Sequence, residues 1–307
     1  MKMNELTIGI PVFNEERHIE RAIRSAVGQC EILIVSDNAS TDGTASICRK
    51  LADEFHNLRY VRKAENIGAI GNIIDVAGSV ETPFMMILGA HDYIEAGYVD
   101  AVLPDILADE RVECAMGGLT FVQAGGNQIT NNALCEWHGG ENSKPAERVW
   151  SFFTIGGSAV WATYGIFRTK TFCRLFTADL PRFGPDAIFI AKVLLSGKIK
   201  ISKGAAYVAR ERQKEKSKAA YFERVTGISH TDKDVARLVN GYRVMQYEII
   251  KSLYPNDGRI GKIFRRFISM SIFKPFKIEG RDIYYYLFYV PAVVANRLER
   301  MVRKFKV

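Results

Sequence analysis

The chain has 307 residues and a formal net charge of +8, with 48% hydrophobic and 25% charged residues. That composition excludes a disordered or fibrous chain and gives ample core for one large domain or two modest ones. Five cysteines, odd in number and without Cys-x-x-Cys or Cys/His ligand spacing, argue against a disulfide scaffold and a zinc site and fit reduced thiols in a cytosolic protein.

The first ninety residues alternate short uncharged runs with amphipathic stripes. Residues 6–12 read as a strand buried on both faces, which breaks into Phe13-Asn14-Glu15-Glu16. This opening shows no secretory-signal pattern. Ile19, Ala22, Ile23, Ala26 and Val27 then form the stripe of a helix, with Asn14 as its cap and Glu15 and Glu16 favourable in its first turn. Residues 31–35 read as a second strand, ending in Ser36-Asp37-Asn38-Ala39-Ser40-Thr41-Asp42-Gly43. The next stripe is Cys48, Leu51, Ala52 and Phe55, capped by Thr41 or Asp42. Residues 58–61 form a short third strand and 66–78 a weaker, glycine-containing helix. A further strand over 83–88 breaks into Gly89-Ala90-His91-Asp92. Repeated strand–helix alternation predicts an α/β fold with a mostly parallel twisted sheet flanked by helices.

The strands at 6–12, 31–35 and 83–88 each run into small and acidic residues, and open α/β sheets bind ligands at the carboxyl ends of their strands. A carboxylate at Asp37 can accept hydrogen bonds from a nucleobase imide or a ribose hydroxyl. The same residues also suit turns and caps, so the turn alone does not decide between a site and a loop.

Farther along, Trp137, His138, Trp150 and Trp161 lie between glycine pairs at 125–126, 139–140 and 156–157. Aromatic rings stack on sugar faces, although tryptophans are also ordinary core residues. Of the three, Trp161 is the candidate for contact with an acceptor.

The basic charge belongs to the tail. Twelve Lys or Arg against three acids between 258 and 307 leave +9 there and −1 on the remaining 257 residues. The same stretch holds thirteen uncharged, aromatic-rich residues at 283–295, too few for the roughly 18–20 that a spanning helix needs. Such a segment suits an anionic membrane surface. The alternative is a helical subdomain with a solvated basic face. No nucleic-acid-binding motif accompanies the charge.

Taken together, IPVFNEERHIERAIRSAVGQ (10–29), EILIVSDNASTDGT (31–44), ENIGAIGN (65–72) and MMILGAHDY (85–93) resemble the nucleotide-binding half of the family-2 glycosyltransferases of the GT-A fold. The resemblance is close over roughly residues 5–120 and looser through 217. It implies a glycosyltransferase domain over 1–217, with a nucleotide-sugar half (1–120) and an acceptor half (121–217), followed by a helical, basic, aromatic-rich region over 218–307. It also implies an inverting sugar transfer from a nucleotide-diphosphate sugar, such as a UDP-sugar, to a glycan hydroxyl. The acceptor would be lipid-linked, in surface polysaccharide or O-antigen assembly, at the inner face of the membrane.

By position, Pro11, Phe13, Asn14 and Glu15 would line the nucleotide pocket. Asp37 matches the family's base-contacting acid, and Asn66 and Gly68 match its Asn-x-Gly segment. The family's Asp-x-Asp-Asp metal motif reads Gly89-Ala90-His91-Asp92 here, so only Asp92 survives. Two readings of His91 stand: a ligand for Mn²⁺ beside Asp92, or a neutral donor to phosphate. A requirement for Mn²⁺ or Mg²⁺ is therefore open. On the acceptor side, Gly165-Ile166-Phe167-Arg168 precedes Phe183-Gly184-Pro185-Asp186, where Asp186 takes the place of the family's catalytic base and doubles as a potential N-cap. Arg210 or Arg212 would face the leaving diphosphate. A nucleotidyltransferase of related architecture would want a basic glycine-rich loop after the first strand, where this chain is acidic. A catalytically inactive member serving as an assembly partner remains compatible with the eroded motif.

Overall fold

The computed structural model describes residues 5–210 apart from 124, 125, 132, 133, 135, 155, 156, 182 and 183, together with 245, 248, 249 and 252. The buried runs become parallel strands and the stripes become helices. In chain order they are β1 (Leu6–Val12), α1 (Ile19–Ala26), β2 (Ile32–Asp37), α2 (Thr44–Glu54), β3 (Leu58–Arg62), α3 (Gly68–Gly78) and β4 (Phe84–Ile87). A second part follows: β5 (Tyr93–Ile94), α4 (Tyr98–Leu107), β6 (Val112–Val122), β7 (Gln128–Thr130) and α5 (Pro145–Thr154). A 3-10 segment (Gly157–Tyr164) then leads into β8 (Ile166–Arg168), α6 (Thr169–Leu175), α7 (Pro185–Ser196) and β9 (Lys198–Arg210).

One sheet takes all nine strands in the order β3-β2-β1-β4-β8-β6-β9-β5, with β7 paired to β6. The first four strands are mutually parallel, as short buried runs joined by helices require. The long β6/β9 ladder is parallel as well, while the short β5, β7 and β8 pair antiparallel. Two antiparallel steps through β8 leave β6 and β9 pointing the same way as β4. The carboxyl ends of β1, β2, β4 and β9 therefore share one edge, and the sheet runs unbroken across residue 120.

Residues of the α1 stripe (Ile19, Ala22, Ile23, Ala26) are fully buried beneath β1 and β2 residues such as Ile8, Ile10 and Leu33. The helix starts are not where the caps were expected. Asn14 sits ahead of α1 with φ 54° and does not cap it; Asp42 accepts the Thr44 amide at 3.0 Å, one residue inside α2. Asn66 accepts the Gly68 amide at 2.9 Å, so α3 begins two residues later than the periodicity suggests.

A buried guanidinium braces the second half. Arg148 donates to the carbonyls of Leu194, Asn142 and Ser143 at 2.8–2.9 Å, tying α5 to the end of α7. Among the described residues no helix is long and apolar enough to cross a membrane. The basic aromatic tail expected to dock on membrane lies outside the described residues. Four cysteines (Cys30, Cys48, Cys114, Cys173) are free thiols.

Candidate active site

The loops beyond β1, β2 and β3 are knit into one surface by side chains accepting backbone amides. Asn14 donates its amide to Ser40 Oγ at 3.0 Å and accepts the Thr41 amide on Oδ1 at 2.8 Å. The Glu15 amide donates to Thr44 Oγ1, the Glu16 amide to Asp42 Oδ2, and Glu16 Oε2 accepts the Gly43 amide at 2.7 Å. Asn38 reaches the third loop, donating to Asn66 Oδ1 at 2.7 Å and accepting the Ile67 amide at 2.9 Å. Positive φ values at Asn14, Ala39 and Gly68 mark the sharp turns that bring these groups together, at a strain cost for the two non-glycine residues. Phe13 (36% exposed) and Ile67 (43%) are apolar side chains left uncovered on these loops.

Beneath them lies Asp37, fully buried at the end of β2. Its Oδ1 accepts the Ser40 amide at 2.8 Å, and its Oδ2 accepts the Tyr60 hydroxyl at 2.8 Å and Arg62 at 2.9 Å. Arg62 also donates to the Ser40 carbonyl. Burial and the bond to Asp37 push the Tyr60 hydroxyl up to about 12. The carboxylate thus shapes its own turn and presents a half-exposed guanidinium to solvent.

The turn after β4 is organised around Asp92, also buried. Its Oδ2 accepts the Tyr207 hydroxyl at 2.6 Å and its Oδ1 accepts the Arg210 amide at 2.8 Å. Tyr207 in turn accepts the Gly89 amide at 3.1 Å. His91 stands between two acids, with Nε2 3.4 Å from Asp92 and Nδ1 3.7 Å from Glu15. Burial, with the neighbouring Asp92 charge, raises the Tyr207 hydroxyl far above its ordinary value, so it remains a donor. Among the described residues no three acid, histidine or cysteine side chains are placed to hold a metal ion.

Aromatic rings from the 3-10 segment pack on Tyr207. Tyr164 lies 5.3 Å and Trp161 6.5 Å away between ring centroids, and Phe121 meets Trp161 edge-on at 5.3 Å. Trp137, by contrast, is buried and donates to Ser151. Trp161 thus packs on the tyrosine that is hydrogen-bonded to Asp92.

Asp186 occupies the first turn of α7, behind Gly184 in the left-handed conformation (φ 62°). Gly184, not Asp186, is the N-cap, and Asp186 makes no capping hydrogen bond. Burial alone raises its carboxyl to about 6. α7 ends at Ser196 and leads through Gly197 directly into β9, whose last residue is Arg210.

The structure places Pro11, Phe13, Asn14, Glu15, Asp37, Asn66, Gly68, His91, Asp92 and Arg210 on or beside the edge loops. Arg212 lies outside the described residues. Tyr60, Arg62 and Tyr207, which the sequence did not single out, are bonded to the acids at this edge. Arg62 was discoverable, since it ends a parallel strand as Asp37 does; Tyr207 was not, because nothing local links it to a motif 115 residues earlier.

The family model described as Glycosyl transferase family 2 matches residues 7–170. Glycosyltransferase GlyA of Streptococcus pneumoniae serotype 4 is 23% identical over 224 residues, covering 68% of this chain and 31% of that protein. A dolichyl N-acetyl-alpha-D-glucosaminyl phosphate 3-beta-D-2,3-diacetamido-2,3-dideoxy-beta-D-glucuronosyltransferase of Methanococcus voltae is 27% identical over 189 residues, covering 55% of this chain and 54% of that protein. The chain thus spans about a third and about half of the lengths of these relatives. The crystal structure of S. aureus TarS residues 1–349 in complex with UDP-GlcNAc superposes with a TM-score of 0.55 at 18% identity, over 81% of this chain and 71% of that one. The corresponding UDP complex gives 0.53 at 17% identity.

Proposed function

Because this chain belongs to glycosyl transferase family 2, we propose that it moves a sugar from a nucleoside-diphosphate sugar to a glycan hydroxyl with inversion at the anomeric carbon. In that step the acceptor oxygen attacks the anomeric carbon as the bond to the diphosphate breaks. Asp186 takes the hydroxyl proton, and the nucleoside diphosphate leaves. The observation that carries this reading is Asp186 itself. A carboxyl that burial raises to about 6, in the first turn of α7, is a base matched to near-neutral pH. The loops around Asp37 would hold the nucleotide, with Arg62 and Phe13 as the accessible contacts. The ring of Trp161 offers a stacking face for the acceptor sugar.

A UDP-sugar is the first donor to try, since TarS has been captured with UDP-GlcNAc and with UDP. A lipid-linked acceptor is supported by the dolichyl phosphate substrate in the methanococcal relative's name. Release of nucleoside diphosphate from a panel of donors, with defined lipid-linked acceptors, tests the proposal. Stereochemistry of the product distinguishes inversion from retention. Nucleotide binding without release from any donor would favour an assembly role instead.

The tail from 258 onward would bring this edge to the membrane at its inner face. Twelve basic residues each contribute roughly 1 kcal/mol near an anionic surface, on top of aromatic burial. Co-sedimentation with vesicles should rise with anionic lipid and fall with salt. A protein that ignores anionic vesicles at low salt has a tail with another use.

A further inference from the structure

The family's divalent cation does not fit the turn after β4 in this chain. A Cβ at Gly89, where the first metal-motif acid would stand, falls 2.4 Å from Asp92 Oδ2 and 3.2 Å from the Tyr207 hydroxyl. An aspartate there collides with the one acid that survives. That acid is itself committed: Tyr207 donates to Oδ2 and the Arg210 amide to Oδ1. The remaining motif position is His91, wedged between Glu15 and Asp92. The donor set is thus one buried carboxylate with both oxygens hydrogen-bonded and one imidazole between acids, a poor offer to Mg²⁺ or Mn²⁺.

The same bonds have a second consequence. Asp92 and Tyr207 fix the last residue of β9 at the edge where the other strands end, and that residue is Arg210. Its Nε is buried and has no hydrogen-bond partner among the described residues. An unpaired guanidinium donor beside a nucleotide site suits an anionic oxygen, which Arg engages with a fork of N–H groups.

We propose that Asp92 is a positioning carboxylate and not a metal ligand. Together with Tyr207 it sets Arg210 against the donor's diphosphate, whose charge this enzyme meets without a divalent cation. The proposal rests on the nucleotide-sugar reading above. Glycine at 89 then has a physical reason, because the missing side chain makes room for the Asp92–Tyr207 bond.

Calorimetry with UDP and with uridine, each in EDTA and in millimolar Mn²⁺, tests it on the full chain without depending on turnover. UDP affinity should be the same in both conditions. Arg210→Ala should weaken UDP by about tenfold or more while leaving uridine unchanged, a loss confined to the diphosphate. Tyr207→Phe keeps the ring and its packing but frees Asp92 Oδ2, and should show the same selective loss, smaller in size. If Tyr207→Phe does not fold, Arg210→Ala and the metal comparison carry the test. UDP binding that appears only with Mn²⁺, or an Arg210→Ala variant that binds UDP normally, overturns the proposal and leaves the nucleotide-sugar reading standing. Failure of the wild type to bind any nucleoside diphosphate with or without Mn²⁺ overturns both.

Discussion

Asp186→Asn should lower kcat by about 10² or more while nucleotide affinity stays at the wild-type level. The amide keeps the size of the side chain and its place in the first turn of α7 but cannot accept the acceptor's proton. Capping is not at issue, because Gly184 is the N-cap and Asp186 makes no capping bond. The wild-type pH profile should rise through about 6, where this carboxyl ionises, and the variant's residual activity should lack that limb. Stability should respond in the opposite sense. A raised folded-state value means that the native protein holds this proton to higher pH than the unfolded chain. Asp186 therefore favours folding at low pH and loses that advantage as pH rises from the ordinary carboxylate range to about 6. Asparagine removes this dependence, so the variant should be no less stable than wild type at neutral pH. Single-turnover kinetics and urea unfolding at several pH values check both halves. Near-normal turnover in the folded variant would mean that another group is the base.

Asp37→Ala should weaken nucleotide binding by about 1–3 kcal/mol, the scale of losing a hydrogen bond that involves a charge. It should also destabilise the fold by a similar amount, since the Ser40 amide and the Tyr60 hydroxyl lose a buried acceptor. Binding must therefore be measured well below the variant's melting temperature. Arg62→Ala tests the accessible half of the pair. Its side chain is half-exposed, but it is the charged partner of the fully buried Asp37, so removing it should weaken nucleotide binding and also cost stability. If both variants bind UDP normally by calorimetry, the Asp37–Arg62 pair is a structural ion pair and the base sits elsewhere.

The strands and helices of the first half were legible because their determinants are local. Uncharged runs such as 6–12 and 83–88 can only be buried on both faces, and the Ile19–Ala26 stripe has a single helical face to cover. The same locality exposed the edge, since β1, β2 and β4 each run into turn-forming polar residues. Caps were less legible. Asn14 reads as a helix cap by type, but its side chain is drawn 27 residues away to the Thr41 amide, a partner that exists only once β1 and β2 lie side by side.

The sequence by itself determined that this is an α/β chain with polar and acidic turns along one sheet edge, that Asp37, Asp92 and Asp186 are its candidate acids, and that two acids of the family's metal motif are replaced. Only the tertiary structure decided how those acids are placed and partnered. Asp37 and Asp92 prove to be buried and hydrogen-bonded, to Tyr60 and Arg62 and to Tyr207 and the Arg210 amide, while burial without a capping bond raises Asp186 to about 6. A carboxylate's role depends on its solvation and on its hydrogen-bond donors, and for Asp92 those donors come from β9, more than a hundred residues away. No local pattern encodes that approach; the parallel pairing of β9 with β6 creates it.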